Sequence, residues 1–418
     1  MRTPGQVTFA GHLLLAALTC LAVDITNLLN SPQGIELQWP TVAWGRYDVE
    51  TATTPAGSWS RQSRVVADSN TVGWTDDQPD SPTRMYRLRV GKVSITNVRH
   101  WVYNIADVNT STQREALVGS HFDMYVLEPV VTEKGEEDFD IAGLLRDIRQ
   151  CIITQYHKDP IILAYVDIGQ AEDWRWYWQT GWTVGNPEWI LSGDPDGWGG
   201  CYPVAFWYTD WYNIVIYGTQ GMSHVQATLN AGFDGIYMDW VEAWNDTAVL
   251  AKAEADGVTN TAQAMFDFIE KIRRYAREEA TNADPDYLVV AQNAADLYQE
   301  DTNRYEELID AIACEAIWYD GDGGFDDWDD PRGYNVPTDE LYPGWTEEVL
   351  GYLEPMKGRL PIFCCEYAQD INGTNYASLV YTNLALTNGF IPYCTRRSLQ
   401  KLSTTPYPEG YLPHDSSY

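Results

Sequence analysis

Seven short apolar runs in this chain each reach a carboxylate or an amide, and that repeated ending constrains the fold more than any other feature. The clearest is GFDGIYMDW, which arrives at Asp239. The others are WVYNIAD to Asp107, FDMYVLE to Glu128, IILAYVD to Asp167, YLVVAQN to Asn293, AIACE to Glu315 and PIFCCE to Glu366. Continuous apolar runs of this kind are how parallel strands read when helices cover one face and a barrel interior the other. Their polar ends then converge on one mouth, and in a (β/α)8 barrel that mouth is where catalysis sits.

Stretches with 3.6-residue periodicity fill the gaps between the runs: STQREALVGS, DIAGLLRDIRQCIITQYH, MSHVQATLNAG, NTAQAMFDFIEKIRRYAREEA, NRYEELIDA, WTEEVLGYLEPMKG and YASLVYTNLALTNG. Each precedes one of those runs or the last one, FIPYC. This alternation predicts βαβ units and a parallel sheet, and about eight repeats is the count at which such a sheet closes. The expected fold class is α/β, a (β/α)8 TIM barrel spanning residues 98–405, with the linker near 91–97 and a tail at 406–418.

Residues 34–91 read differently, as short alternating segments such as IELQWP, YDVETA and MYRLRV separated by turn residues. They predict a small all-β module, sandwich-like and similar to a reduced fibronectin type III domain. Trp39, Tyr47, Trp59, Trp74 and Tyr86 are expected to fill its core, stacking on sugars being the other use of such rings. At the start, Arg2 precedes the apolar stretch Leu13–Val23, and Cys20-Leu21-Ala22 resembles a small-x-small cleavage site, so residues 1–23 read as a signal peptide and predict a secreted, periplasmic or cell-surface protein. No second long apolar run follows, so no membrane span is expected.

The balance of 27 Lys and Arg against 60 Asp and Glu leaves a net charge of −33. Such a surface repels phosphate backbones and anionic headgroups, which argues against nucleic acid as a partner. It is compatible with an ordinary acidic soluble surface and equally with attraction of a cationic polymer, such as a partly de-N-acetylated aminosugar chain. Six cysteines follow the leader: Cys151, Cys201, Cys314, Cys364, Cys365 and Cys394. None has zinc-site spacing, and a disulfide among them stays open, as does the oligomeric state.

Two insertions interrupt the alternation and are expected to be mouth loops. Gln170 to Trp211 holds Trp174, Trp176, Tyr177, Trp178, Trp182, Trp189, Trp198, Tyr202, Trp207 and Trp211, a composition suited to sugar stacking. Trp318 to Trp345 carries Asp320, Asp322, Asp326, Asp327, Asp329 and Asp330 without the alternation of an EF-hand loop, so a solvated acidic loop is expected there rather than a calcium site.

The residue inventory narrows the chemistry by exclusion. There is no HExxH, no G-x-S-x-G elbow and no GxxxxGK[ST], so neither a metal nor a nucleotide cofactor is expected. Carboxylates, aromatics and an amide remain, the set that glycoside hydrolysis uses. Among the competing strand-end acids, Asp239 beside WVEAW and Glu315 beside AIWYD are the best placed.

The blocks ILAYVDIGQAEDWRWYW, NPEWIL, YPVAFWYTDW, GFDGIYMDWVEAW, VVAQNA, CEAIWYD, IFCCEYAQD and GFIPYCTRRSL together resemble glycoside hydrolase family 114, the endo-α-1,4-polygalactosaminidase type, over residues 98–402. The resemblance implies a barrel that cleaves α-1,4-linked galactosamine polymers, with Asp239 as nucleophile and Glu315 as acid/base of a retaining reaction. It implies subsite positions at Asp107, Asp167, Arg175, Tyr237, Asn293, Glu366, Tyr367, Tyr393 and Arg396. Where the family commonly has GEAE this chain has GQAED, so Gln170 replaces an acid in the same region and points toward acetylated units. Tyr237 or Asn293 would hydrogen-bond Asp239, and Trp318 with Ile317 would form an apolar wall for Glu315. The competing readings are a glycosidase for another α-linked polysaccharide and a carbohydrate-binding barrel without turnover.

Overall fold

The computed structural model describes residues 23–41, 45–67, 71–77, 84–219, 221–320, 336–368, 380–400 and 402. The leader expected at 1–23 therefore lies almost wholly outside the described residues, as do the 406–418 tail and, apart from Asp320, the named aspartates of the second insertion.

The N-terminal part contains β1 (Asn27–Ser31), β2 (Gly34–Pro40), β3 (Arg46–Ala52), β4 (Ser60–Val66), β5 (Thr71–Asp76) and β6 (Met85–Val90). They form two three-stranded antiparallel sheets, ordered β1-β2-β5 and β4-β3-β6. β1 lies ahead of the 34–91 span expected from the sequence. Trp39 and Tyr47 are fully buried, with ring centroids 5.8 Å apart, and pack with Leu37, Val49 and Leu88. Two sheets this small bury little apolar area, so these two rings carry a large share of the module's core.

The second part continues with β7 (Trp101–Asn104), β8 (Met124–Leu127) and β9 (Ile161–Asp167), then a side hairpin of β10 (Gln170–Glu172) and β11 (Cys201–Pro203). After these come β12 (Gly235–Asp239), β13 (Leu288–Gln292), β14 (Ala311–Glu315), β15 (Ile362–Glu366) and β16 (Ile391–Cys394). Leaving the hairpin aside, eight parallel strands in the order β16-β15-β14-β13-β12-β9-β8-β7 make a nearly closed barrel. Its two edges meet across a seam where the Trp101 indole N–H donates to the Ile391 carbonyl at 2.9 Å. All seven residues of β9 and every residue of β7, β8 and β15 are buried, as strands covered on both faces must be.

Helices return the chain between strands, and their starts are capped as the sequence requires. Asp140 accepts from the Gly143 N–H ahead of Ile141–Tyr156, Ser223 from Gln226 ahead of His224–Ala231, and Asn260 from Gln263 ahead of Thr261–Arg274. The helix Thr247–Asp256 was not among the periodic stretches. Its start is set by Asp246, which accepts from both Ala248 and Val249.

The two parts meet at the amino-terminal ends of the barrel strands. The Arg46 N–H donates to the His157 carbonyl at 2.9 Å, and the Tyr47 hydroxyl hydrogen-bonds His157 Nδ1 at 2.6 Å. Lys92 ion-pairs with Asp159 and with Asp234, which lie just ahead of β9 and β12. The small module thus sits at the end of the barrel opposite the carboxyl ends of the strands.

Aromatic rings fill the barrel interior. Trp101 lies 6.4 Å from Tyr103, 5.4 Å from Phe363 and 5.8 Å from Tyr393, and is fully buried. Trp101→Ala would open a large void there and also remove the seam hydrogen bond, so a loss of about 3–5 kcal/mol is expected in urea unfolding. A loss under about 1 kcal/mol would show that the barrel does not depend on this ring.

Candidate active site

Parallel register lines up the strand ends. Asp239 at the end of β12 sits beside Asp167 at the end of β9, and Glu315 at the end of β14 beside Cys365 of β15. The residues that follow β12, β13 and β14 are Trp240, Asn293 and Ala316, and all three have positive φ, 55°, 64° and 50°. A left-handed non-glycine residue is strained, and such strain persists only where surrounding structure over-determines it. Here it turns the chain sharply at the rim and leaves the preceding carboxyl or amide at the mouth. Gly169 is required for close approach, because a Cβ there would stand 2.1 Å from the Trp240 carbonyl oxygen.

Asp239 accepts a hydrogen bond from the Tyr165 hydroxyl at 2.6 Å and another from the Trp240 N–H at 2.8 Å. Glu315 accepts from the Tyr367 hydroxyl on one oxygen and from the Gln292 amide on the other, with Asn293 Nδ2 at 3.5 Å from that second oxygen. Asn293 also fixes the backbone, its Oδ1 accepting the Glu315 N–H at 2.9 Å. Tyr103 donates to Gln292 at 3.3 Å, and its own pKa is raised by burial and then by the charges of Glu315 and Asp239. Both carboxyls therefore act on one buried tyrosine at the base of the mouth.

Their electrostatics differ. Burial pushes Asp239 up to about 6, opposed by the Tyr165 hydroxyl and the Trp240 N–H. Burial pushes Glu315 up to about 7, and the neighbouring Asp239 charge adds to it against Tyr367, Arg397 and Asn293. Hydrogen bonds to the charged form favour ionisation and a like charge opposes it. Asp239 is the carboxyl that ionises first, and Glu315 the one that keeps its proton longer.

The other residues expected at the site separate into three groups. Tyr367 and Asn293 reach Glu315 directly. Asp167 is buried beside Asp239 and accepts the Gly169 and Gln170 N–H groups at 3.0 and 2.7 Å. Burial, and then the Asp239 and Glu172 charges, hold its pKa well above the usual carboxylate range. The buried Gln170 amide donates to Asp194 at 2.6 Å.

The third group is buried, apart from Asp107. Arg175 is fully buried, its guanidinium spent on Glu128, Glu172 and the Thr132 hydroxyl, so it braces the wall instead of lining a subsite. Glu366 is also fully buried and accepts the Ile317, Trp318 and Tyr319 N–H groups at 3.1, 2.9 and 2.9 Å, which fixes the chain leaving β14. Tyr237 and Tyr393 pack on Trp101 inside the barrel, and Tyr237 takes no part in holding Asp239. The buried Trp318 ring faces Phe390 at 6.2 Å, and Arg396 is likewise buried. Asp107 stands three residues beyond the end of β7, exposed, its carbonyl accepting the Thr110 N–H and hydroxyl.

Sequence reasoning missed Tyr165, Gln292, Arg397 and Glu242. Tyr165 lies two residues before Asp167 and so on the same face of β9, a signal available in AYVD. Gln292 is the last residue of β13, one before the Asn293 that drew attention. Glu242 sits on the single turn Val241–Asn245 after Asp239, and its Oε2 is buried without a hydrogen bond among the described residues. Burial, and then the Asp239 and Glu315 charges, drive its pKa well up.

The tryptophan-rich insertion is mostly core. Trp189 and Trp211 are buried, and Trp176, Trp178 and Trp182 are packed among Tyr177, Tyr202 and one another, leaving only Trp174 and Trp198 of its tryptophans substantially exposed.

A barrel mouth holding two hydrogen-bonded carboxyls with separated proton affinities is the kind of site on which glycoside hydrolysis runs. The chain belongs to glycoside-hydrolase family GH114, whose family model matches residues 110–409. An uncharacterized protein of Thermotoga maritima is 30% identical over 262 residues, 61% of this chain and 70% of its own length. One from Deinococcus radiodurans is 28% identical over 315 residues, 74% of this chain and 84% of its own. Among solved structures, the glycoside hydrolase domain of PelA from Pseudomonas aeruginosa aligns with a TM-score of 0.48 at 13% identity, over 73% of this chain and 97% of that domain. Aspergillus fumigatus Ega3, solved in complex with galactosamine, aligns with a TM-score of 0.45 at 15% identity, over 74% and 96%.

Glu366→Gln replaces one of the two carboxyl oxygens that accept from three buried N–H donors with an amide NH2 that cannot accept. A loss of about 2–3 kcal/mol in chemical unfolding is expected, and unchanged stability would mean that the N–H groups are held by something else.

Proposed function

We propose that this chain is an exported glycosidase that cleaves α-1,4-linked galactosamine-type polysaccharide with retention of configuration. The observation that carries the reading is the division between the two carboxyls: Asp239 up to about 6 with a tyrosine hydroxyl on it, Glu315 up to about 7 beside that negative charge. Between those values a nucleophilic carboxylate and a protonated acid coexist.

In the first half-reaction the ionised Asp239 attacks the anomeric carbon while Glu315 protonates the departing glycosidic oxygen. In the second, Glu315 takes a proton from water, which displaces Asp239 from the glycosyl-enzyme. Tyr165 moderates the nucleophile by hydrogen-bonding its charged form, and Tyr367 with Gln292 holds the acid in place. Burial holds the pKa values of the neighbouring Asp167 and Glu242 well up, so the ionised Asp239 is the negative group that favours an oxocarbenium-like centre.

The net charge of −33 supports a cationic substrate. Gln170 lacks the acid that the resemblance leads one to expect, but its amide is bonded to Asp194, so a carboxylate still stands next to that position. This favours free amine groups on the sugar over the acetylated units that Gln170 alone suggested. Barrel-mouth carboxyls that bind a chain without cutting it are the rival reading, and turnover separates the two.

Release of reducing ends from α-1,4-galactosamine oligomers should fall by about 10²–10⁴-fold in Asp239→Asn and in Glu315→Gln. Wild-type protein that binds the oligomers and releases nothing would establish the rival.

The pH profile of kcat/KM should be a narrow bell. Activity is lost as pH falls through the Asp239 value, about 6, because the nucleophile takes up a proton. It is lost again as pH rises through the Glu315 value, about 7, because the acid has given its proton up. A profile flat from about pH 5 to 9 would contradict this assignment.

A further inference from the structure

We infer that Trp198 forms a sugar-stacking subsite on the Glu315 side of the mouth, so that one ring of the polysaccharide lies on its indole while a neighbouring linkage is cleaved. This rests on the glycosidase reading and adds to it where the chain is gripped.

Three observations meet at this residue. The first is exposure: Trp198 is 54% exposed, the most open tryptophan of an insertion whose other indoles are largely consumed by packing. The second is position. The Arg397 guanidinium lies 5.8 Å from the centre of the Trp198 ring and 5.9 Å from that of Tyr367, and the Tyr367 hydroxyl is bonded to Glu315. An unbroken line of contacts therefore joins the open indole to the Glu315 carboxyl.

The third is rigidity. Asp194 Oδ1 accepts the Asp196 and Trp198 N–H groups at 2.8 and 3.0 Å, while its other oxygen takes the Gln170 amide at 2.6 Å. The segment that presents the indole is thereby tied to the residue following the end of β9 and its turn. Arg397 is anchored in turn by the buried Asp320. A cation within about 6 Å of an indole holds it electrostatically, so the ring keeps its orientation without being covered.

An exposed, fixed indole suits a pyranose ring, which presents C–H groups on one face and hydroxyls at its edge. In the galacto configuration the axial 4-hydroxyl leaves the opposite face more continuously apolar, which improves the stack. The ring would contribute binding without touching the reacting atoms.

The test is binding, separated from turnover. In an Asp239→Asn background, titration calorimetry is run with α-linked oligomers of galactosamine, N-acetylgalactosamine and galactose, and the tightest ligand is kept for comparison. Adding Trp198→Ala should weaken it about 2- to 10-fold, and Trp198→Phe, which keeps a flat apolar face, should recover most of that loss. Equal affinity in all three proteins, or a loss that phenylalanine does not recover, overturns the subsite. A tightest ligand other than galactosamine overturns the proposed substrate and leaves the tryptophan comparison decisive for the subsite; binding to none of the three overturns both.

Discussion

Burying carboxylates is the constraint on which the rest of this molecule depends. The parallel strands carry Asp167, Asp239, Glu315 and Glu366 to one end of the barrel, where each loses water that would otherwise stabilise its charge. The structure answers that cost in two ways. Glu366 and Asp167 receive backbone N–H groups, and Glu128 with Glu172 share Arg175. Those acids are fixed, and they stiffen the wall. Asp239 and Glu315 instead receive chiefly side-chain donors, two tyrosine hydroxyls and an amide, and neither is shut away from the surface as Glu366 is. Groups held this way can exchange protons with a bound molecule.

The same division gives the scaffold its order. Fixed acids lock the turns that leave β9 and β14, the second of which begins at the strained Ala316. The aromatic stack beneath, centred on Trp101 and Tyr103, supplies a rigid, water-poor floor for the pair. At the far end the small module is joined through Tyr47, His157 and Lys92. The mouth is consequently left to the barrel's own loops.

Much of this was legible from residue order because burial on both faces of a parallel strand forbids polar residues until the strand ends. GIYMD, AIACE and IFCCE announce both the strand and the site residue at its tip. The rule failed at WVYNIAD, where β7 ends at Asn104, and Asn104 rather than Asp107 is the buried polar group, bonded to Leu399 and Gln113. It also could not divide working acids from bracing ones, since Glu366 and Glu315 end their strands alike and differ in burial and in donors, backbone N–H groups of the chain leaving β14 for Glu366 and the Tyr367, Gln292 and Asn293 side chains for Glu315. Arg175 misled for a related reason: its partners Glu128 and Glu172 come from β8's end and from the hairpin, a meeting that spacing does not disclose. The tryptophan-rich insertion showed aromatic content, whereas which rings stay open depends on mutual packing.

The central claim is that Asp239 and Glu315 are one electrostatically coupled pair across the mouth. Carbon-13 NMR titration of the Glu315 side-chain carboxyl, assigned by its disappearance in Glu315→Gln, measures that coupling directly. In Asp239→Asn the negative neighbour is gone, so the midpoint of Glu315 should fall from about 7 toward the ordinary glutamate range. A midpoint that does not move would mean the two carboxyls do not sense each other, and the account of the site would be wrong.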